Sequence, residues 1–382
     1  MKRILVIASA KGFFTFEYLR NVVDFEKYHV DIANVDSVDS VIPSQYELFY
    51  KRNNINVLNY TIDLSPRFHK FKMLVNRSRN IRKLNIVKKY DIVHILYVSE
   101  EAVGVMLRRK HIKTICTVFG SDVLRAKKIK KPIIKYIFNK CDRITVATQY
   151  MNDFVLKTYG TKLQSKMYRV DFGNSNIEYV KGVLSENNGK ENCRLFGLPE
   201  DKILVFVGYN GSPAHKHIET IKELEKMSDI NRDRIHVVLH CAYALNDNYK
   251  QKLLQYANDS PISISLITDY LTGVDLIKFR SCCDIMTNLQ PTDALSSSML
   301  EYLALGSIVI KGNWLHYSEL TSSNSFVISI SDYDSLSATI DDIVERLPEY
   351  KKLTKCNYET AYKLCSWNYQ GTKWKELIDE LL

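Results

Sequence analysis

Short apolar runs recur along this chain at residues 4–8, 29–33, 92–96, 114–118 and 144–147, each the length of a buried strand. Between them, 16–23, 101–109 and 150–159 carry apolar residues at helical spacing. Strands alternating with amphipathic helices predict a parallel sheet covered by helices. The pattern breaks near Asp171-Phe172-Gly173-Asn174, and the polar stretch 184–191 (LSENNGKE) reads as a linker. A second alternating set follows, with strands at 203–207, 235–241, 262–267, 284–289 and 307–310. Its helices fall at about 214–227, 248–257, 273–280 and in the stretch ending at Gly306. The periodicity therefore predicts an α/β protein of two Rossmann-like domains, 1–180 and 181–365.

Composition agrees with that division. The 382 residues are 46% apolar and 25% charged, enough for two full cores. The opening MKRILVIASA imitates a leader, but the apolar run at 4–7 is too short for one and reads better as a buried first strand. No run approaches the roughly 20 apolar residues that span a bilayer. Eight cysteines without a C-x-x-C pair indicate neither a zinc site nor a disulfide framework, and fit a reducing cytoplasm.

The net charge of +10 changes the picture more, because it is one-sided. Residues 1–180 hold 32 Lys/Arg against 16 Asp/Glu; the remainder holds 21 against 27. Residues 66–90 and 123–141 contain nine and seven basic residues and no acid. The second segment interleaves them with Ile129, Ile133, Ile134, Ile137 and Phe138, which suits either a solvated lysine-rich face or a basic amphipathic helix on an anionic membrane. No nucleic-acid motif accompanies the charge.

Candidate chemistry gathers at predicted strand ends. In PTDALSSSMLEYLALG (291–306) a strand runs into a loop and then a helix whose Leu300, Leu303 and Ala304 share one face. The three consecutive serines Ser296, Ser297 and Ser298 and the free N–H groups of the first turn suit a phosphate, and Asp293 and Glu301 stand eight positions apart, one for a sugar and one for a ribose. The alternative is a capping box, Ser298 with Glu301. After the strand at 203–207, Gly208 and Gly211 permit close backbone approach, Ser212 is a plausible N-cap ahead of Pro213, and Lys216 would bring a charge to the same helix end, unless it is simply solvated. In the first half, Ser9 to Phe14 places Gly12 and Phe13 in a strand-end loop, and Phe119-Gly120-Ser121-Asp122 forms another. Asp122 is either a substrate contact or a helix cap. His94, inside an apolar run, reads as a packed histidine. The lack of G-x-G-x-x-G removes the main support for a nicotinamide or flavin cofactor.

These motifs together resemble GT-B glycosyltransferases, family 4 above all, over nearly the whole chain. Asp293 to Glu301 is similar to the family's E-x7-E element, Gly208 to Lys216 to its phosphate-binding loop, and Phe119 to Asp122 to its His-Gly-x-Asp. Cys365-Ser366-Trp367 and the helix after it are similar to the final segment, 366–382, that crosses back onto the first domain. The resemblance implies a cleft between the domains, a nucleotide-sugar donor on the second, and an acceptor on the first, near Gly12, Phe13, Ser121 and Asp122. It implies that Glu301 bonds the ribose, that Leu295, Ser296 and Ser297 hold the diphosphate, that Lys216 neutralises the leaving phosphate and that Asp293 meets the sugar. Two departures stand out: Phe119 replaces the histidine, and Tyr209 and Asn210 stand where an arginine is expected. G-x-x-G-S-P with His217 is also similar to the inverting 4-acetamido-4,6-dideoxygalactosyltransferases.

The expected function is glycosyl transfer, retaining and without metal or other cofactor, to a lipid-linked or saccharide acceptor in bacterial surface polysaccharide synthesis. The expected place is the cytoplasm, peripheral at the inner face of the plasma membrane, with no nucleic-acid partner. The rival readings are a GT-B nucleotide-sugar epimerase, which would need acid–base groups in the cleft and no basic surface, and a non-catalytic protein binding membrane or polysaccharide, which would have no nucleotide affinity.

Overall fold

The structure, a computed structural model, describes residues 1–36, 40–59, 89–98, 101–107, 112–186 and 188–382, except for the side chains of residues 101 and 190. Most of the basic segment 66–90 lies outside the described residues. The chain divides into two units, one of residues 1–173 with 367–382, the other of 174–366.

Among the described residues the first unit is built on seven parallel strands: β1 (Lys2–Ala8), β2 (Tyr28–Asn34), β3 (Asn56–Asn59), β4 (Ile92–Leu96), β5 (Lys113–Thr117), β6 (Arg143–Val146) and β7 (Met167–Arg169), in the order β3-β2-β1-β4-β5-β6-β7. Ile4, Leu5, Val6 and Ile7 are all buried, as a central strand covered on both faces requires. The expected first strand is therefore present. The final helix, Trp367–Leu381, also belongs here. Its Trp374 is fully buried among the rings of Tyr18, His94 and Phe172, with centroids 5.3–5.5 Å away, and donates Nε1–H to the Asp171 carbonyl at 2.8 Å. Trp367 donates to Glu17 at 2.9 Å. His94 is the packed histidine its sequence context predicts, bonded through Nε2 to Thr117 Oγ1 at 2.7 Å.

The second unit holds six parallel strands: β8 (Ile203–Val207), β9 (Ile235–His240), β10 (Ile264–Ile267), β11 (Ile285–Asn288), β12 (Ile308–Gly312) and β13 (Ile328–Ile330), in the order β10-β9-β8-β11-β12-β13. Two expectations need correction. Residues 184–191 are not an interdomain linker: helices Val180–Glu186 and Gly189–Leu195 flank residue 187, and Ile177, Val180 and Val183 lie in the second unit's core. The first crossing between units is at Gly173/Asn174, seven residues before the expected boundary; the return is at Ser366/Trp367. The helix expected over 214–227 is also interrupted. A 3-10 turn, Pro213–His215, ends at Lys216 in the left-handed conformation (φ 60°), and the helix proper is His217–Leu224.

Candidate donor and acceptor loops

In the second sheet β8 and β11 are neighbours, paired from Val205–Ile285 to Val207–Thr287. From β8 the chain moves outward to β9 and β10; from β11 it moves the other way, to β12 and β13. Where the order reverses, the loops leaving the two carboxyl ends part and open a crevice, the usual ligand position in an open α/β sheet. The loops here are 208–216 and 289–296. They are tied to each other: Gly208 N–H donates to the Thr287 carbonyl at 3.0 Å, and Gln290 Nε2 donates to the Tyr209 hydroxyl at 2.9 Å.

The first loop owes its shape to Gly208, at φ 68°, where a Cβ would stand 2.7 Å from the His215 ring. Ser212 accepts from Ala214 N–H at 3.3 Å, with Pro213 following, as expected of an N-cap. The left-handed backbone at Lys216 turns its side chain onto the next helix, where Nζ pairs with Glu219 at 2.7 Å. Lys216 thus lines an opening of about 570 Å³ with Lys222, Asn246, Tyr249 and Lys252, and its ammonium is not gathered with the Asp293 loop.

The second loop is fixed more firmly. Asp293 Oδ2 accepts from the Tyr317 hydroxyl (2.6 Å), Asn288 Nδ2 (3.2 Å) and Ser296 N–H (3.2 Å), while Oδ1 accepts from Ala294 N–H (2.9 Å). Burial raises its pKa, and those donors oppose the rise. Leu295 sits at φ 75°, a strained place for a branched side chain, and is held there by burial in the apolar core. Ser296 then caps helix Ser297–Ala304 through Ser298 N–H at 3.2 Å. Leu300, Leu303 and Ala304 are buried as expected.

Glu301 corrects the capping-box alternative. Its carboxylate does not reach back to Ser298; it is 1% exposed and turned sideways. Oε2 pairs with Arg280 of helix Gly273–Ser281, and Oε1 accepts from Asn174 Nδ2 and, at 3.2 Å, from Asn176 Nδ2. A carboxylate offers about four acceptor sites. Three are used inside the protein, so a ribose hydroxyl has at most one left. Arg280, Asn174, Asn176 and Tyr317 escape sequence reading because each lies far from the motif it serves. The one available signal was Arg280, a charge on the otherwise apolar side of its helix.

In the first unit the loops at the carboxyl edge form an aromatic cluster. Gly12 N–H closes a turn onto the Ser9 carbonyl at 3.1 Å and opens helix Phe13–Val22. Phe14 packs on Phe119 (5.2 Å) and Phe172 (5.7 Å), and Phe13 on Phe14, with both Phe13 and Phe14 still partly exposed. Asp122 is a cap. Buried, it accepts backbone N–H bonds from Val98, Phe119 and Gly120 at 2.9–3.2 Å, and burial lifts its pKa to about 6. Asp122 also lines a cavity with Tyr97, Ser121 and Arg125. Ser121 remains exposed, its Oγ 3.4 Å from the Tyr97 hydroxyl.

The basic stretch also differs from the membrane-helix alternative. It breaks into Ser121–Leu124, a 3-10 turn Lys128–Lys130 and helix Lys131–Lys140, whose Ile134, Ile137 and Phe138 are spent in the core. Exposed Lys127, Lys128, Lys130 and Lys131 surround one exposed apolar tip, Ile129. A cavity of about 210 Å³ lies beside it, walled by Tyr97, Arg125, Lys127, Lys130 and Ile133. Among the described residues no helix is long and apolar enough to cross a membrane.

Residues 3–148 match the family model of glycosyl transferase 4-like proteins. No curated protein sequence matches the chain. Solved structures match over its full length. A glycosyltransferase of Rickettsia africae ESF-5 is 15% identical, with 98% of that chain covered and a TM-score of 0.72. Sucrose-phosphate synthase of Thermosynechococcus elongatus is 14% identical, with 99% covered and a TM-score of 0.75. Anabaena HepE in complex with UDP-glucose is 11% identical, with 100% covered and a TM-score of 0.74. At these identities the likeness is one of fold, and it bears out the two-sheet GT-B architecture read from the strand-end motifs.

Proposed function

We propose that this glycosyltransferase takes its sugar from a nucleoside diphosphate sugar seated where the β8 and β11 loops part, and passes it to a lipid-linked or saccharide acceptor on the first unit. The observation that carries this reading is the pairing of the tied 208–216 and 289–296 loops with the serine-rich start of helix Ser297–Ala304, whose first-turn N–H groups suit a diphosphate. UDP-glucose, the ligand of Anabaena HepE, is the first donor to test.

The C1–oxygen bond to the diphosphate breaks, the acceptor hydroxyl oxygen bonds to C1, and the hydroxyl proton passes to the departing phosphate oxygen. Charge grows on that phosphate, so donors already in place there give the acceleration. Lys216 joins them only by leaving Glu219. Its pair with Glu219 is a surface pair, worth under about 1 kcal/mol, and releases the ammonium at little cost. Asp293, anchored by Tyr317 and Asn288, keeps Oδ1 with a single protein partner and serves the donor sugar. We assign no metal to the reaction. The chain's Asp-x-Asp, Asp332 and Asp334, is used otherwise: Asp332 accepts from Ser335 N–H, and Asp334, 89% exposed, faces Lys226.

For the acceptor, the cavity beside Ile129 joins cations to an apolar wall, which suits a phosphate-bearing lipid and agrees with surface polysaccharide synthesis at the inner membrane face. The first measurement is calorimetric binding of UDP, GDP and dTDP without metal, to wild type and Lys216→Ala. Micromolar binding of one nucleotide, weakened in the variant, is expected. Folded protein that binds none of the three overturns the donor reading.

A further inference from the structure

We propose that Arg280 is the second cation of the donor site, acting on the donor's diphosphate through Ser298; the proposal rests on the donor reading above. A nucleoside diphosphate brings at least two negative charges to the 208–216 and 289–296 loops, and Lys216 is the cation those loops carry; Tyr209 and Asn210 are uncharged. Arg280 comes from another element, helix Gly273–Ser281, and is 3% exposed. Its Nη2 donates to Ser298 Oγ, in the first turn of helix Ser297–Ala304, at 3.2 Å. Its Nη1 meets Glu301, its face lies over the Tyr302 ring at 5.1 Å, and its Nε has no hydrogen-bond partner among the described residues.

This placement has a directional consequence. Because Ser298 Oγ accepts from the guanidinium, its own proton is free to be given to a ligand oxygen. Nη2 carries a second N–H beside it. Ser298 N–H is taken by the Ser296 cap, whereas the helix supplies no acceptor for the N–H of Ser297. An anion at this helix end therefore finds a serine hydroxyl polarised by a buried arginine, an arginine N–H and a backbone N–H. Glu301 does not need to let go. It holds Arg280 in place while Asn174 and Asn176 share its other oxygen, so the guanidinium is positioned before the donor arrives.

The test separates a phosphate contact from mere support of Glu301. Binding of UDP, of uridine and of inorganic pyrophosphate is measured by calorimetry on wild type and on Arg280→Gln. UDP and pyrophosphate are expected to weaken about 10- to 100-fold, the range of a lost hydrogen bond to a charged group. Uridine, which has no phosphate, is expected to stay within about twofold. Because Arg280→Gln leaves Glu301 buried without its partner and can unfold the protein, the comparison is repeated between Glu301→Gln and Arg280→Gln/Glu301→Gln, where any ribose contact of Glu301 cancels. Equal weakening of UDP and uridine would make Arg280 a prop for Glu301 and overturn the proposal, as would unchanged UDP binding in either comparison. Wild-type protein that binds neither UDP nor pyrophosphate sinks the donor reading and this proposal together; wild type that binds while Arg280→Gln binds equally sinks the proposal alone.

Discussion

Tyr317→Phe removes one oxygen atom and tests how the Asp293 loop is held. The hydroxyl gives Asp293 Oδ2 its shortest bond, 2.6 Å, and accepts from Asn288 Nδ2 at 3.0 Å. Tyr317 is 2% exposed, so water does not replace what is lost. A hydrogen bond to a charged group is worth about 1.5–3 kcal/mol. For a unit of this size each kcal/mol moves the melting temperature by roughly 2–4 °C, so a loss near 2 kcal/mol lowers the second unit's transition by about 4–8 °C at pH 7.5. The pH dependence sharpens the test. Burial raises the pKa of Asp293 above the ordinary 3.8 while the Tyr317 hydroxyl opposes the rise, so the variant's value moves higher still. The hydroxyl serves the anion; its loss hurts most above that pKa and least once the carboxyl is protonated. The gap between wild type and variant should narrow as pH falls, and the acid limb of kcat/KM should move to higher pH. Scanning calorimetry from pH 7.5 to 4.5 reads the first and initial-rate profiles the second. A variant melting within about 1 °C of wild type at pH 7.5, or a gap that widens with acid, would refute the account.

Lys216→Ala should leave the melting temperature almost unchanged, its pair being a surface one, while lowering turnover about 10²- to 10³-fold; equal activity would remove it from the site. Gly208→Ala meets both the φ of 68° and the His215 ring, and should cost about 1–3 kcal/mol and weaken nucleotide binding, read by urea melts and calorimetry. Burial holds His94 neutral down to about pH 3 and His217 and His240 to about 4, whereas unfolded histidines protonate near 6.5. Their folded values are depressed, so stability is full above about 6.5 and falls as acid protonates the unfolded chain, by about 1.4 kcal/mol per histidine at pH 5.5. In the first unit Asp122, raised to about 6, works in the opposite sense and partly offsets His94, so His94→Gln should reverse that unit's dependence, its stability rising from pH 7.5 to 5.5. Melting temperatures unchanged between pH 7.5 and 5.5 would contradict this.

Much of the fold was legible because a parallel strand buried on both faces must be apolar throughout, as Ile4 to Ile7 and Val205 to Val207 are. The strands that escaped were β3, β7 and β13, short segments at or near a sheet edge whose residues are largely half-exposed and carry no continuous apolar run. The misplaced boundary has a similar cause. Exposed residues 184–186, 189 and 191 mark the outer face of two helices, while the inner face is carried by the widely spaced Val180, Val183 and Cys193. At the site, local chemistry was readable where partners are neighbours, as with Gly208, Ser212 and the Ser296 region. It was not readable for Glu301, because Asn174, Asn176 and Arg280 meet it only through the fold.

The membership of helix Trp367–Leu381 in the first unit carries a consequence for the order of events during synthesis. The first 173 residues are made first, yet the space among Tyr18, His94 and Phe172 is filled only by Trp374. The second unit, contiguous over 174–366, has its whole sequence available earlier than the first. A nascent chain should therefore present a finished second unit while the first still exposes an aromatic socket. A stall or truncation that falls after residue 366 and before residue 374 leaves the earlier-made half, not the later one, as the part that chaperones and proteases find.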